Sequence, residues 1–453
     1  MSFESVKKIA AEFAIDRAVN YVSQNPAQNI MTLMDFAERV ANRPDHKDNI
    51  NKLKEHFMNN PLIFEQARRV VKNPKMLKKF MINWVANNQL AGKNVREENA
   101  AKLGVSVPSL ILIDPTSACN LRCDGCWAGE YKTTDSLEPE LLDRIFREAK
   151  ELGIYWIVLS GGEPFAYKPL LDVVADHPDL VFMAYTNGTL IDEKTADRLA
   201  DLANFSPAFS LEGWREQTDA RRGNGVFDKV MRSMDLLSER GVFFGVSVTA
   251  TRDNVDTLFS EQYIDFLVEK GVLYEWCFHY IPIGRNPNTE LMLTPAQRAW
   301  LAYRVPELRR EKPIMIADFW NDGEATRGCI AGGRMYFHIN AQGDVEHCAF
   351  VHFAADNIKN KSLKEVLQNP LFKSFQKRQP FNDNHLLPCP IIDNPLALRE
   401  IVKESKARGT HQGAAEVLEG QVAAHLDQVS AQWKEKADKI KADKEQAKEP
   451  AHA

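Results

Sequence analysis

Three cysteines, Cys119, Cys123 and Cys126, stand in the spacing CxxxCxxC within the stretch from Asp114 to Trp127. Thiolates are soft ligands that suit iron–sulfur clusters or zinc. Tetrahedral zinc would want a fourth Cys or His close by, and none stands beside these three. A cubane cluster usually takes four cysteines, so three would leave one iron open, as a catalytic metal keeps one position for its substrate. The triplet follows the apolar run Leu110-Ile111-Leu112-Ile113, bounded by Pro108 and Pro115. That run reads as a buried strand, which places the cysteines on the loop leaving its C-terminal end.

Further polar motifs follow later strand-like runs. Ser160-Gly161-Gly162-Glu163-Pro164 comes after Trp156–Ser160, with adjacent glycines that allow a tight turn and close backbone approach to a ligand. Glu163 supplies a carboxylate able to accept a hydrogen bond from an ammonium group. Tyr185-Thr186-Asn187-Gly188 ends the run Val181–Thr186 and equally suits an ordinary Asn-Gly turn. Phe209-Ser210-Leu211-Glu212-Gly213 ends Ala208–Leu211, and Arg221-Arg222-Gly223 follows it. A guanidinium is well shaped for a carboxylate.

Taken together, these motifs resemble the radical S-adenosylmethionine (radical SAM) family. The resemblance implies a [4Fe–4S] cluster on Cys119, Cys123 and Cys126. SAM would chelate its fourth iron through amino and carboxylate groups, and electron transfer would release a 5′-deoxyadenosyl radical that abstracts hydrogen from a substrate. It implies SAM contacts from Gly161, Gly162, Glu163 and Pro164, with Glu163 on the amino group. Thr186 and Asn187 would line the pocket, and Ser210 and Arg222 would meet the carboxylate; Arg222 is chosen over Arg221 because it directly precedes Gly223. Ser247, Thr249 and Asn254 are expected near the ribose, and the loop Tyr280–Arg285 near the adenine. An external electron donor such as flavodoxin or ferredoxin is implied as well. One departure is that many members carry an aromatic residue just before the third cysteine, where this chain has Gly125, with Trp127 just after.

The elements that must position these groups alternate. Strand candidates are Leu110–Asp114, Trp156–Ser160, Val181–Thr186, Ala208–Leu211, Phe243–Thr249 and Glu275–Tyr280, and the clearest helices between them are Pro139–Leu152, Glu193–Ala203, Val226–Arg240 and Tyr263–Lys270. Alternation predicts a parallel sheet with right-handed crossovers, and in barrels the active site gathers at the C-terminal strand ends. Six units suit the partial (β/α)6 barrel of radical SAM enzymes. The expected organisation is α/β: a helical N-terminal domain over 1–106, the barrel over 107–312, a small C-terminal iron–sulfur domain over 313–395, and a helical, partly disordered tail over 396–453.

In the N-terminal part, Phe3, Val6, Ile9 and Phe13, and then Met31, Leu33, Met34, Phe36 and Val40, recur at helical spacing. Lys75–Val85 sets lysines beside a Met/Phe/Trp face. Such a helix suits packing on the barrel with its lysines in water, or else contact with a membrane surface or a cap on a greasy channel.

Beyond a helix around Thr294–Arg310, Met335–Ile339 and Val345–Phe350 flank a Gly-containing loop and read as a hairpin. Cys329 precedes it, Cys348 lies on its second strand, and Cys389 follows downstream. This resembles the opening of SPASM and Twitch extensions. The later cysteine-rich run is missing, which favours the shorter Twitch form and one auxiliary [4Fe–4S] cluster on Cys329, Cys348 and Cys389. Cys277, His347, His385, a substrate atom or nothing would complete it. The last twenty residues, Lys434 to Ala453, are rich in Lys, Glu and Ala and read as a solvated helix or disordered tail.

Composition bounds the rest. A formal charge of −5 gives no electrostatic case for nucleic acid. No apolar run is long enough to cross a bilayer, and the N-terminus lacks signal-peptide character. Seven cysteines without a secretion signal point to the cytoplasm and to ligands rather than disulfides. The expected function is a radical SAM enzyme acting first on a peptide, second on a lipid or small metabolite. The rival is a non-catalytic iron–sulfur electron carrier or assembly factor, which would need no SAM pocket.

Overall fold

The computed structural model describes residues 15–40 and 61–446, and between them residues 47, 48, 50, 51, 54, 55 and 58. Phe3, Val6, Ile9 and Phe13 lie outside the described residues. One sheet organises the chain. Seven parallel strands run β1 (Leu110–Ile113), β2 (Trp156–Leu159), β3 (Val181–Thr186), β4 (Phe205–Leu211), β5 (Gly245–Ala250), β6 (Tyr274–His279) and β7 (Met315–Asp318), side by side in that order. The sheet does not close: β7 is one edge.

Side chains alternate along each strand. Ile111, Ile157, Phe182, Phe209 and Val246 face the covering helices, within one core. Helix Pro139–Glu151 answers with Leu142, Ile145, Phe146 and Ala149, one buried stripe. Leu112, Trp156, Val158, Met183, Tyr185, Ser247, Trp276 and Phe278 face the other way and line a cavity.

Two features go beyond the six expected units. β7 is a seventh parallel strand, only four residues long at an edge, with Met315 exposed; so short a run carries little periodic signal. The expected hairpin forms as β8 (His338–Ile339) and β9 (Asp344–Cys348), and β10 (Val351–Asn357) and β11 (Arg408–Gly409) extend it. β8 also pairs in parallel with β1, with Leu112 opposite His338 and Ile113 opposite Ile339. The hairpin carrying Cys348 thus continues the same sheet as the strand leading to Cys119.

The lysine-bearing helix, Pro74–Phe80, packs on the barrel. Lys75 and Lys79 donate to the carbonyls of Asp201 and Leu202 at 2.5 and 2.8 Å, where helix Glu193–Leu202 ends. Cations there meet the negative end of that helix. A wider, π-type helix, Met81–Ala91, follows; Trp84 stacks on Phe80 and meets Trp156 edge-on. These lysines therefore serve the barrel's own carbonyls rather than only water.

The C-terminal helix Gly420–Gln446 corrects the reading of the stretch from Lys434 on as a solvated helix or disordered tail. Trp433, Ala437 and Ile440 are buried with Leu386 and Leu387. Beyond Trp433, two apolar residues one turn apart, Ala437 and Ile440, carry the burial onward, and their sparseness in a Lys/Glu background hid it. Among the described residues no helix is long and apolar enough to cross a membrane.

Candidate active site

The cavity of about 250 Å³ receives the C-terminal ends of β1 to β6. Cys119, Cys123 and Cys126 line it, and so do Cys329, Cys348 and Cys389. Gly161, Gly162, Thr186, Asn187, Ser210 and Arg222 line it too. Glu163 and Pro164 do not.

The loop bearing the first three cysteines is held from four directions. After β2, the amides of Gly162 and Glu163 donate to the carbonyls of Thr116 and Ala118 at 2.9 and 2.8 Å. A Cβ on Gly162 would lie 2.2 Å from the Ala118 oxygen, so only glycine permits this approach. From β3, Asn187 Nδ2 reaches Asn120 Oδ1 at 2.9 Å. From the helix after β4, Arg221 Nε donates to the Asp124 carbonyl at 3.1 Å. From the loop after β6, Arg285 donates to the carbonyls of Cys126, Cys123 and Gly129.

The Glu163 carboxylate is fully engaged elsewhere. It accepts from Thr186 Oγ1 at 2.6 Å, the Asn187 amide at 2.7 Å and the Phe165 amide at 3.0 Å. Burial pushes its pKa up against these bonds. It shapes the end of β3 instead of facing the cavity. Arg222 and Arg221 share one buried carboxylate, Glu212, at 2.5 and 2.8 Å. Two guanidiniums on one carboxylate leave one positive charge in excess beside the cavity. Ser210 Oγ meets Ser247 Oγ at 3.3 Å, and Thr249 also lines the cavity. Asn254 instead braces the turns after β4 and β5, donating to the Glu212 and Thr249 carbonyls at 3.1 Å each. Trp127 lines the cavity and lies edge-on to His338 and Phe350.

Cys119 is exposed as a residue, yet the protein packed around its thiol removes enough water to push it up to about 11. Burial, then the charge of Cys348, pushes Cys329 up to about 12, and Cys329 in turn acts on Cys389. Such thiols give up their protons to a metal rather than to water. Among the described residues, the set of three ligand groups whose atoms lie within 4.8 Å of one another is Cys277, His279 and Asp318. Neither cysteine triplet meets that limit, so neither is drawn together as a single tetrahedral ion would require.

None of the residues expected to complete the second set lines the cavity. Cys277 faces the helices from β6, fully buried. His347 points to the face of β9 opposite Cys348 and packs on Phe375 at 4.3 Å; burial drives its pKa down to about 3. The His385 carbonyl crowds Gly323. Tyr336, which the motifs did not single out, places its hydroxyl 3.0 Å from Cys348 Sγ. The aromatic wall was also missed, although Tyr274, Trp276, Phe278 and Tyr280 alternate along one strand.

A second network ties the two cysteine loops. His338, buried on β8, sits between Asp114 Oδ2 at 3.0 Å and Glu346 Oε2 at 2.7 Å. Asp114 also accepts from Ser160 Oγ at 2.6 Å, and Glu346 from Tyr131 at 2.9 Å.

Residues 113–257 match the radical SAM superfamily, and residues 329–390 match SPASM, an iron–sulfur cluster-binding domain. An AdoMet-dependent heme synthase of Nitratidesulfovibrio vulgaris is 26% identical over 311 residues, 60% of this chain and 82% of that protein. The mycofactocin maturase MftC of Mycolicibacterium smegmatis is 28% identical over 296 residues, 61% of this chain and 74% of that protein. The fold is similar to that of Streptococcus suis SuiB bound to S-adenosylmethionine, with a TM-score of 0.55 at 18% identity over 65% of this chain and 75% of that one. It is similar also to SuiB bound to its precursor peptide SuiA, with a TM-score of 0.54 at 17% identity over 66% and 75%.

Proposed function

Because the chain belongs to the radical SAM superfamily and carries a SPASM domain, we propose that Cys119, Cys123 and Cys126 hold the cluster that binds SAM, and that Cys329, Cys348 and Cys389 hold one auxiliary [4Fe–4S] cluster. The single observation that carries this reading is that both triplets open onto one cavity. The chain is an enzyme. When bound and reduced, the first cluster supplies the electron that splits SAM into methionine and a 5′-deoxyadenosyl radical, which takes hydrogen from the substrate.

The protein's part is positioning. Arg285, Arg221 and the amides of Gly162 and Glu163 fix the cysteine loop. Gly161 and Gly162 bring backbone to the cavity for SAM's ammonium group, while Glu163 sets Thr186 and Asn187 in place. Arg222, with Arg221, presents the excess positive charge to SAM's carboxylate, beside Ser210. None of Cys277, His347 and His385 reaches the cavity, so the auxiliary cluster keeps its fourth position for substrate. Cys119 is exposed, which suits electron delivery by a flavodoxin or ferredoxin. Seven free thiols suit a reducing cytoplasm.

The substrate we favour is a peptide presenting an apolar side chain, as the peptide-bound fold neighbour suggests. A lipid or other apolar molecule is the second reading. It is favoured by Leu112, Trp156, Val158, Met183, Trp276 and Phe278, which offer no charge and little hydrogen bonding. Deuterium transfer separates the two. The anaerobically reconstituted enzyme is given SAM, dithionite and either peptides with deuterated Leu, Val and Phe or a deuterated acyl lipid in micelles. Deuterium in 5′-deoxyadenosine identifies the class. SAM cleavage with deuterium from neither source would overturn the apolar-substrate reading.

A further inference from the structure

One cysteine of the seven serves neither cluster site. Cys277 lies on β6, where the alternation of side chains puts Glu275 and Cys277 on the helix-facing side, with His279 on the same row at the strand end, where it reaches the cavity. The parallel register sets Asp318 of β7 directly opposite Cys277. One sulfur, one imidazole nitrogen and one carboxylate oxygen thereby come within 4.8 Å of one another. Cys277 and Asp318 are wholly buried, and His279 is 2% exposed.

The polar groups around this set are poorly balanced without a cation. His279 Nε2 faces Asp318 Oδ1 at 3.3 Å, Nδ1 has no partner, and the ring is clamped flat against Trp320 at 4.8 Å. Glu275 is completely buried, and neither of its oxygens has a hydrogen-bond partner. A buried carboxylate left this way is costly. The neighbouring charged groups are Asp322 and Arg309, and those two are spent on each other through a two-pronged pair at 2.7 Å. Asp318 Oδ2 takes Asn321 Nδ2 at 2.6 Å, and Oδ1, which faces His279, also accepts from the amides of Trp320 and Asn321 at 3.2 and 3.3 Å.

We propose that Cys277, His279 and Asp318 form a mononuclear metal site, suited to Zn²⁺, in the wall of the reaction cavity, which His279 itself lines. A thiolate, an imidazole and a carboxylate are all zinc ligands. One thiolate and one carboxylate neutralise a divalent ion, and the imidazole binds as the neutral base. On binding, the Cys277 proton leaves to solvent and the S–Zn bond forms, with no change of oxidation state. Tetrahedral bonds at about 2.0–2.3 Å put ligand atoms roughly 3.5 Å apart, so the set closes by about an ångström. Water fills the fourth position. Such a site pins the short edge strand β7 to β6, whose other face presents Trp276 and Phe278 to the cavity.

The test is element-specific, so the iron clusters do not obscure it. Full-length protein with its clusters reconstituted anaerobically is supplied with zinc, stripped of loose metal on a chelating resin, and measured for zinc content and zinc K-edge absorption. The site predicts about one zinc per chain with a single sulfur at about 2.3 Å and nitrogen or oxygen otherwise. Cys277→Ser and Asp318→Asn should each lose that zinc while keeping their iron. No retained zinc, or a zinc shell with two or more sulfurs as at a vacant cluster triplet, would overturn the proposal, as would zinc kept by both variants. If a variant does not fold, the wild-type shell decides by itself.

Discussion

The ring of Tyr280 lies against Gly125: a Cβ at position 125 would sit 2.9 Å from Tyr280 Cε2, on a residue whose φ is +62°. The space that an aromatic residue before the third cysteine would fill is thus taken by a ring from the end of β6. Tyr280→Leu should weaken SAM binding roughly threefold to tenfold, the loss of an aromatic contact worth about 0.5–1.5 kcal/mol, while both clusters stay. An unchanged dissociation constant in anaerobic titration would mean the ring does not reach the adenine.

Glu163 separates positioning from direct contact. Removing its carboxylate strands the amides of Asn187 and Phe165, at a cost of about 1–3 kcal/mol. Glu163→Ala should therefore lower both stability and SAM affinity, and Glu163→Gln, which keeps an acceptor, should recover much of each. If Gln binds SAM as poorly as Ala while folding normally, the carboxylate charge itself meets SAM.

Arg298 connects the C-terminal helix to Cys389. Its Nη1 pairs with Asp393 Oδ1 at 2.7 Å, its guanidinium lies 4.3 Å over Trp433, and Asp393 Oδ2 accepts from the Cys389 amide at 2.9 Å. Arg298→Met leaves Asp393 buried and unpaired, a loss of about 3–5 kcal/mol. Iron should fall from about eight toward about four per chain, with the auxiliary cluster lost first. Wild-type iron content and melting temperature in this variant would argue that the pair does not support the cluster.

His338 gives a pH signature. Burial alone would lower its pKa, but Asp114 and then Glu346 outweigh that and raise it to about 10. Its folded-state pKa lies above the ordinary value near 6.5, so its contribution to stability is full below about 6.5, shrinks as pH climbs, and is gone once pH passes about 10. The stability gap between wild type and His338→Gln should narrow from pH 6.5 to pH 10 in denaturant titrations. A gap that stays constant would show that His338 is not held as a cation.

What could be read in the sequence was local. Cys119, Cys123 and Cys126 declare themselves because a motif on one loop keeps a fixed spacing, and β1 to β6 because most of them alternate with helices of ordinary length; between β2 and β3 the helix is only Leu170–Ala175. The pairing of His338 with Leu112 and of Asp318 with Cys277 joins segments far apart in the chain, and no short-range pattern encodes it. The surroundings of Glu163 were hidden for a related reason: its type suggested an ammonium partner, and nothing in the local sequence shows that its carboxylate accepts from the Thr186 hydroxyl and the Asn187 amide. β8 and β11, two residues each, owe their existence to the strands beside them.

The central claim is that SAM is cleaved reductively at a cluster on Cys119, Cys123 and Cys126. Its most direct measurement is 5′-deoxyadenosine formed from SAM and dithionite by anaerobically reconstituted protein, compared with the Cys119→Ala/Cys123→Ala/Cys126→Ala variant. Wild type should form 5′-deoxyadenosine. The triple variant should form none while retaining about half of the iron, the four atoms of the auxiliary cubane. Continued 5′-deoxyadenosine formation by the triple variant would contradict the account.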